Sequence, residues 1–154
     1  MTLDAVKELA FADVGDDRGR LTAVEGSVHI PFQVARVFYV HQVKEGVPRG
    51  GHAHRDTDQV ITAVAGRLTL AVSDGRDWRR FDLDDPGRGI YVPRMLWIDL
   101  LDFSQGAVCL VFASTVYDRS KSLRTWNEYL VARALPPETP RWPAFAGERG
   151  GDEQ

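Results

Sequence analysis

The stretch Arg49-Gly50-Gly51-His52-Ala53-His54, followed five residues on by Gln59, decides how this chain is read. Two of its 4 histidines stand two residues apart. On an extended strand, side chains at i and i+2 point to the same face. A Gly- and Pro-containing loop, Gly46 to Gly51, leads into this pair, so both imidazoles can enter one cavity. Imidazole exchanges protons near neutral pH and is also the commonest metal ligand, so the pair has two possible occupations.

Outward from this pair the chain reads as short strands. Val34 to Val43 is rich in Val, Phe and Tyr. Gln59 to Val64 and Arg67 to Ser73, separated by Gly66, read as a hairpin-like pair. Asp74-Gly75 is a strong turn signal, and Trp78 to Leu83 follows it. After the breaker Asp84-Asp85-Pro86-Gly87 come Gly89 to Pro93, Leu96 to Leu101 and Ala107 to Thr115. Evenly spaced strands without intervening helices predict an all-β sandwich or barrel. A single C-terminal helix is predicted from Lys121 to Ala134, where Leu123, Trp126, Leu130 and Ala134 recur at helical spacing. The expected organisation is one domain over 1–135 and a Pro-rich, polar tail over 136–154, with Trp142 and Phe145 as docking residues.

The 154 residues suffice for one domain with a sizeable core. A formal net charge of −3 provides no basic field for nucleic acid. No apolar run is long enough to span a bilayer. Met1 to Phe11 carries Asp4, Lys7 and Glu8 and does not read as a signal peptide. Cys109 is the one cysteine and is expected to be a buried strand thiol. A cytoplasmic protein is the natural expectation.

The frame around the histidines resembles the first motif of the cupins, small double-sheet jelly-roll barrels. Gly46, five residues, His52-Ala53-His54, four residues, Gln59, six residues and Gly66 fit it, with Gln59 in the place of a Glu. In the second motif Gly87 and Pro93 fit, while Met95 takes a Gly place and Ile98 a His place. A metal cupin would use two His, one Glu and a third His. Gln59 is a poor ligand and Ile98 cannot coordinate, so no metal and no cofactor are expected.

Two imidazoles and arginines around a metal-free pocket suit proton transfer beside a carbonyl. One histidine can shuttle between adjacent carbons, which are only about 1.5 Å apart, while the second steadies the oxygens. Arg36 and Arg49 are candidates to meet anionic groups, because guanidinium forks match phosphate oxygens. Tyr39 shares a strand face with Val37 and His41 and either donates its hydroxyl to a substrate oxygen or fills a wall. Tyr91 and Trp97 are wall candidates. His29 and His41 have no partner in sequence.

From about Leu9 to about Tyr129 the chain resembles the WxcM-like sugar 3,4-ketoisomerases that act on dTDP-4-keto-6-deoxyglucose. The matching pieces include Asp17-Arg18-Gly19-x-Leu21, Ile30-Pro31-Phe32, Arg36-Val37-Phe38-Tyr39-Val40, Arg49-Gly50-x-His52-Ala53-His54, Tyr91-Val92-Pro93, Trp97, Asp102-Phe103-Ser104 and Tyr117-Asp118. The resemblance implies an RmlC-like jelly roll and a metal-free isomerase. It implies His54 as base and shuttle with His52 assisting, and a dTDP-linked 4-keto-6-deoxy sugar as substrate. It also implies a homodimer with exchanged N-terminal strands. The candidate site is then His54, His52 and Tyr39 for chemistry, with Arg36, Arg49, Gln59 and Trp97 holding substrate. Two departures stand out. Ile98-Asp99 replaces a polar pair such as His-Glu, and in Arg119-Ser120-Lys121-Ser122-Leu123-Arg124 only the Arg matches the family's usual Glu-x-Asp-Tyr-Ile-Arg. A metal-free dTDP-sugar epimerase, a non-catalytic sugar-nucleotide-binding cupin and a metal-dependent cupin oxygenase are the alternatives.

Overall fold

The strands predicted from alternation are present in the computed structural model, which describes residues 1–141. They assemble as two five-stranded sheets and a separate hairpin. The first sheet contains β1 (Lys7–Ala10), β4 (Arg36–Val40), β6 (Gln59–Ala65), β9 (Arg88–Val92) and β11 (Val108–Ala113), in the order β1-β9-β6-β11-β4. The second contains β5 (Arg49–His54), β7 (Leu68–Ser73), β8 (Trp78–Leu83), β10 (Trp97–Leu101) and β12 (Ser122–Leu123), in the order β12-β5-β10-β7-β8. The hairpin is β2 (Ala12–Asp16) with β3 (Gly19–Ala23). All strand pairings are antiparallel. From β4 to β7 and from β8 to β11 the chain alternates between the two sheets, the path of a jelly roll.

The core lies between the two inner faces. Ile61, Ile90, Val92 and Val111 of the first sheet meet Leu70, Val72, Leu83 and Ile98 of the second, all buried. The outer face of the second sheet is covered by α1 (Trp126–Ala132), where Trp97, Leu123 and Tyr129 pack together. The outer face of the first sheet is covered by Phe11 and Ile30 against Val60. No helix among the described residues is long and apolar enough to cross a membrane.

Two expectations are corrected here. The segments on either side of Gly66 do not form a hairpin, since β6 and β7 lie in different sheets. Gly66 has φ +62° and passes so close to Ala107 Cα that a Cβ would lie 2.8 Å from it. It is the corner where the chain changes sheets, and the adjacent hairpin is β7–β8 across Asp74-Gly75. The helix begins at Trp126, not at Lys121. Thr125 caps it in a capping box with Glu128, and Arg119–Lys121 forms a 3-10 turn. Leu123, whose apolar side chain fits a helical stripe, instead sits in β12 opposite Ala53. Within this single chain β1 pairs with β9. The expected docking residues Trp142 and Phe145 lie outside the described residues.

Candidate active site

Strand β5 carries the histidine pair along one edge of the second sheet. His52 stands opposite Ile98 of β10, and His54 opposite Ser122 of β12. Between Ile98 and Asp99 the register shifts: Asp99 pairs with Gly50, so Gly51 is an extra residue. Gly50 and Gly51 have φ of +80° and +72°, the left-handed region that glycine enters at little cost. This bulge restores the alternation so that Arg49, His52 and His54 share the inner side of the sheet.

The two imidazoles meet edge to face, with ring centroids 4.7 Å apart. They open onto a cavity of about 360 Å3 lined by Arg36, Phe38, His52, His54, Tyr117, Ser122 and Arg124. His54 is gripped at both ring nitrogens. Its Nε2 lies 3.2 Å from the Gln59 amide nitrogen, and its Nδ1 lies 3.4 Å from Ser122 Oγ. An amide N–H donating to Nε2 leaves the ring proton on Nδ1, facing the serine oxygen. Rotating the amide makes Nε2 the donor and Nδ1 the acceptor from the hydroxyl. Both arrangements satisfy a neutral ring.

Electrostatics favour the same state. Burial pushes His52 down to about 4; the charges of Arg124 and Arg36 add to this, and a hydrogen bond to the Gly50 backbone opposes it. His54 falls to about 3, again chiefly from burial, with His52, Arg36 and Arg124 contributing. Both rings are therefore neutral at pH 7 and can accept a proton. Burial also lowers Arg36, which lies over the rings of Phe38 and Tyr117 at 5.2 and 5.3 Å. Arg36 and Arg124 each keep a buried Nε–H without a hydrogen-bond partner among the described residues. Two guanidiniums with unmet donors beside neutral bases form a pocket for an anionic ligand that gives up a proton.

The donor set does not fit the metal of other cupins. Gln59 supplies a neutral amide already turned to His54, and Ile98 is packed in the apolar core. Two imidazoles alone are too few for a tightly held divalent ion.

The sequence-predicted residues divide into those at the cavity and those away from it. His52, His54 and Arg36 line it, and Gln59, 2% exposed, supports His54 from behind. Arg49 stands opposite Leu100 and is not among the cavity-lining residues. Tyr39 is corrected: β4 alternates, Arg36 and Phe38 turn inward, and Tyr39 is 61% exposed with its ring beside His41. Within one chain its hydroxyl faces away from the imidazoles. Trp97 is corrected as well. It is fully buried on the outer side of the second sheet, against Trp126 and Tyr129, and its Nε1–H donates to Asp99 Oδ2 at 2.7 Å. Four lining residues were not in the predicted set: Phe38, Tyr117, Ser122 and Arg124. The signal for Arg124 was its survival in an otherwise divergent segment, and Tyr117 belongs to a matched Tyr-Asp pair.

Comparisons with known proteins agree with this fold. The model of the FdtA family (WxcM-like, C-terminal) matches residues 4–134. A TDP-4-oxo-6-deoxy-alpha-D-glucose-3,4-oxoisomerase of Aneurinibacillus thermoaerophilus is 35% identical over 123 residues, covering 80% of this chain and 88% of that protein. Among solved structures, a histidine-to-asparagine variant of the 3,4-ketoisomerase QdtA from Thermoanaerobacterium thermosaccharolyticum, in complex with TDP-4-keto-6-deoxyglucose, superposes with a TM-score of 0.83. It is 31% identical and covers 85% of this chain and 95% of its own. The WlaRB TDP-quinovose 3,4-ketoisomerase from Campylobacter jejuni gives a TM-score of 0.79 at 32% identity, covering 84% and 99%. With the jelly roll, the paired histidines and a match over residues 4–134, this chain belongs to the FdtA family of WxcM-like proteins.

Proposed function

We propose that this chain is a TDP-sugar 3,4-ketoisomerase that acts on a TDP-linked 4-keto-6-deoxyhexose through His54, without a metal ion. The observation that carries the reading is the pair of neutral, half-buried imidazoles facing a cavity that also holds two guanidiniums with donors unmet among the described residues. Its relatives named for this activity, one of them bound to TDP-4-keto-6-deoxyglucose, supply the substrate class.

The chemistry balances within the substrate. His54 takes the proton from C3, and the C–H electrons move toward the C4 carbonyl, giving an enediolate. A proton passes between the two sugar oxygens, and His54 returns its proton to C4. C3 is oxidised to the ketone and C4 reduced to the alcohol, so no external redox partner is needed. His52, edge-on at 4.7 Å, is placed to steady the oxygens during the transfer. Gln59 and Ser122 hold the His54 ring in orientation. Arg36 and Arg124 would face the diphosphate. Its negative charge opposes the guanidinium charges that depress both histidines, so binding raises their basicity when it is needed.

A homodimer belongs to the same reading. The β2–β3 hairpin joins neither five-stranded sheet and exposes Val14 and Leu21, while β4 is an edge strand exposing Val37 and Tyr39. A hairpin crossing to a second copy would cover these side chains. A single catalytic domain over 1–135 and a cytoplasmic location complete the proposal, the latter fitting the lone buried Cys109.

The test is incubation with TDP-4-keto-6-deoxyglucose in deuterated water, followed by NMR. Loss of the C3 proton signal together with a ketone at C3 is expected. A product with changed configuration and the ketone still at C4, or no product at all, overturns the assignment.

A further inference from the structure

Beyond the family-matched residues 4–134 the chain does not leave the domain at once. Residues 135–141 run over the outer face of the second sheet and are fastened three times. Leu135 lies over Gly75, so closely that a Cβ there would meet it at 2.3 Å. The Thr139 carbonyl accepts the Trp126 Nε1–H at 2.9 Å. Arg141 donates from Nη2 to Asp99 Oδ1 at 2.8 Å and lies over the Trp97 ring at 5.2 Å.

The third fastening is the informative one. Asp99 is 1% exposed, a buried carboxylate whose oxygens are shared between the Trp97 indole and this guanidinium. Such a charge is held in an apolar layer only when it is paired, so Arg141 is its counter-charge. Asp99 is also the residue at which the register between β10 and β5 shifts, with Gly50 as its partner. A Cβ on Gly51 would lie 3.4 Å from Arg141 Nη2 and 3.7 Å from Asp99 Oδ1. The ion pair therefore sits directly against the extra residue of the bulge. On the other side of that bulge, the next residue is His52, whose ring bonds to the Gly50 backbone.

We infer that Arg141 is a positioning residue: through Asp99 it clamps the Gly50-Gly51 bulge and so sets the orientation of His52 in the cavity. It touches no substrate. It acts from behind the sheet, through a segment outside the family-matched span, and the inference rests on the proposed role of the histidine pair. Glycine takes positive and negative φ about equally readily, so nothing in these two residues alone holds the bulge and it depends on what packs against it. A displacement of even about 1 Å at a catalytic group can reduce turnover by about 100-fold.

The experiment compares the full-length protein with Arg141→Met, Arg141→Lys and Asp99→Asn. The His52 ring 1H–13C resonances are read by NMR without substrate, and kcat and KM with TDP-4-keto-6-deoxyglucose. Arg141→Met is expected to shift the His52 ring signals and to lower kcat about 10- to 100-fold while KM stays within about twofold, with partial recovery in Arg141→Lys. Asp99→Asn should move the same signals. A lowered melting temperature with unmoved His52 signals and unchanged kcat would mean mere stabilisation and overturns the inference. The ring signals are read without turnover, so an unmoved His52 defeats the clamp even if the wild-type protein proves inactive on this sugar. Moved signals in an inactive wild type would instead defeat the proposed reaction and leave the clamp standing.

Discussion

The Gln59 amide nitrogen lies 3.2 Å from His54 Nε2, at the position where metal cupins carry a carboxylate. A neutral amide orients the ring without charging it, whereas a carboxylate would favour the imidazolium. Gln59→Glu is therefore expected to raise the His54 pKa by about one to three pH units. NMR titration of the ring should show the rise, and the acid limb of activity should move to higher pH.

His54→Asn keeps a polar side chain of similar reach but removes the base. The protein should fold, with its melting temperature changed little. Exchange of the C3 proton with solvent should fall by about 100- to 10,000-fold, the usual weight of a general base. Undiminished exchange would falsify the role given to His54.

Both histidines are depressed in the folded state, to about 4 for His52 and about 3 for His54. An unfolded histidine titrates near 6.5, so below that pH the unfolded chain binds more protons than the folded one. Stability is then constant with respect to these groups above about pH 6.5 and declines as the pH falls toward 4. The slope is up to about 1.4 kcal/mol per pH unit for each ring. Thermal melts between pH 7 and pH 5 should show the loss, and a His52→Asn variant should show a shallower one. For the same reason kcat/KM, which reports the free enzyme, should stay flat down to about pH 5, while kcat should fall at a higher pH because the bound diphosphate raises the rings.

Among the described residues Arg124 keeps a buried Nε–H without a hydrogen-bond partner, and it helps to lower both histidines. Arg124→Met should weaken TDP binding by about 10- to 100-fold, the worth of hydrogen bonds to a charged group. It should also raise the His54 pKa. Calorimetric titration with TDP and ring NMR check the two effects separately.

Thr125 caps α1, accepting from the Glu128 backbone N–H while Glu128 bonds back. Thr125→Ala should cost about 1 kcal/mol of stability, read by denaturant unfolding. Thr125 does not line the cavity, and the Arg124 backbone N–H keeps its bond to the Glu128 carboxylate, so kcat should hold.

How much of this could be read beforehand depends on the range over which each feature is specified. The His-x-His spacing was enough to put two imidazoles on one face, because strand periodicity is a property of neighbouring residues. Gln59 and Ile98 carry the argument against a metal in the sequence itself, because ligand chemistry belongs to the side chain. Asp74-Gly75 likewise announced its turn. Gly66 announced a turn too, yet whether the chain folds back or crosses to the other sheet depends on Ala107, far along the sequence.

Distant partners settled the remainder of the site. The inward turn of Phe38 and the outward turn of Tyr39 follow from which face of β4 the opposing sheet buries, and local pattern is ambiguous there. Trp97 went to the outer face because α1 packs over it and Asp99 receives its indole N–H. Ser122 reaches His54 across 68 positions of sequence only because β12 pairs with β5. Periodicity, turn chemistry and ligand identity are local and survive in the linear string of residues. Strand partners, the choice of buried face and the counter-charge of a buried carboxylate are set by burial among residues far apart in the chain, and these came from the folded molecule.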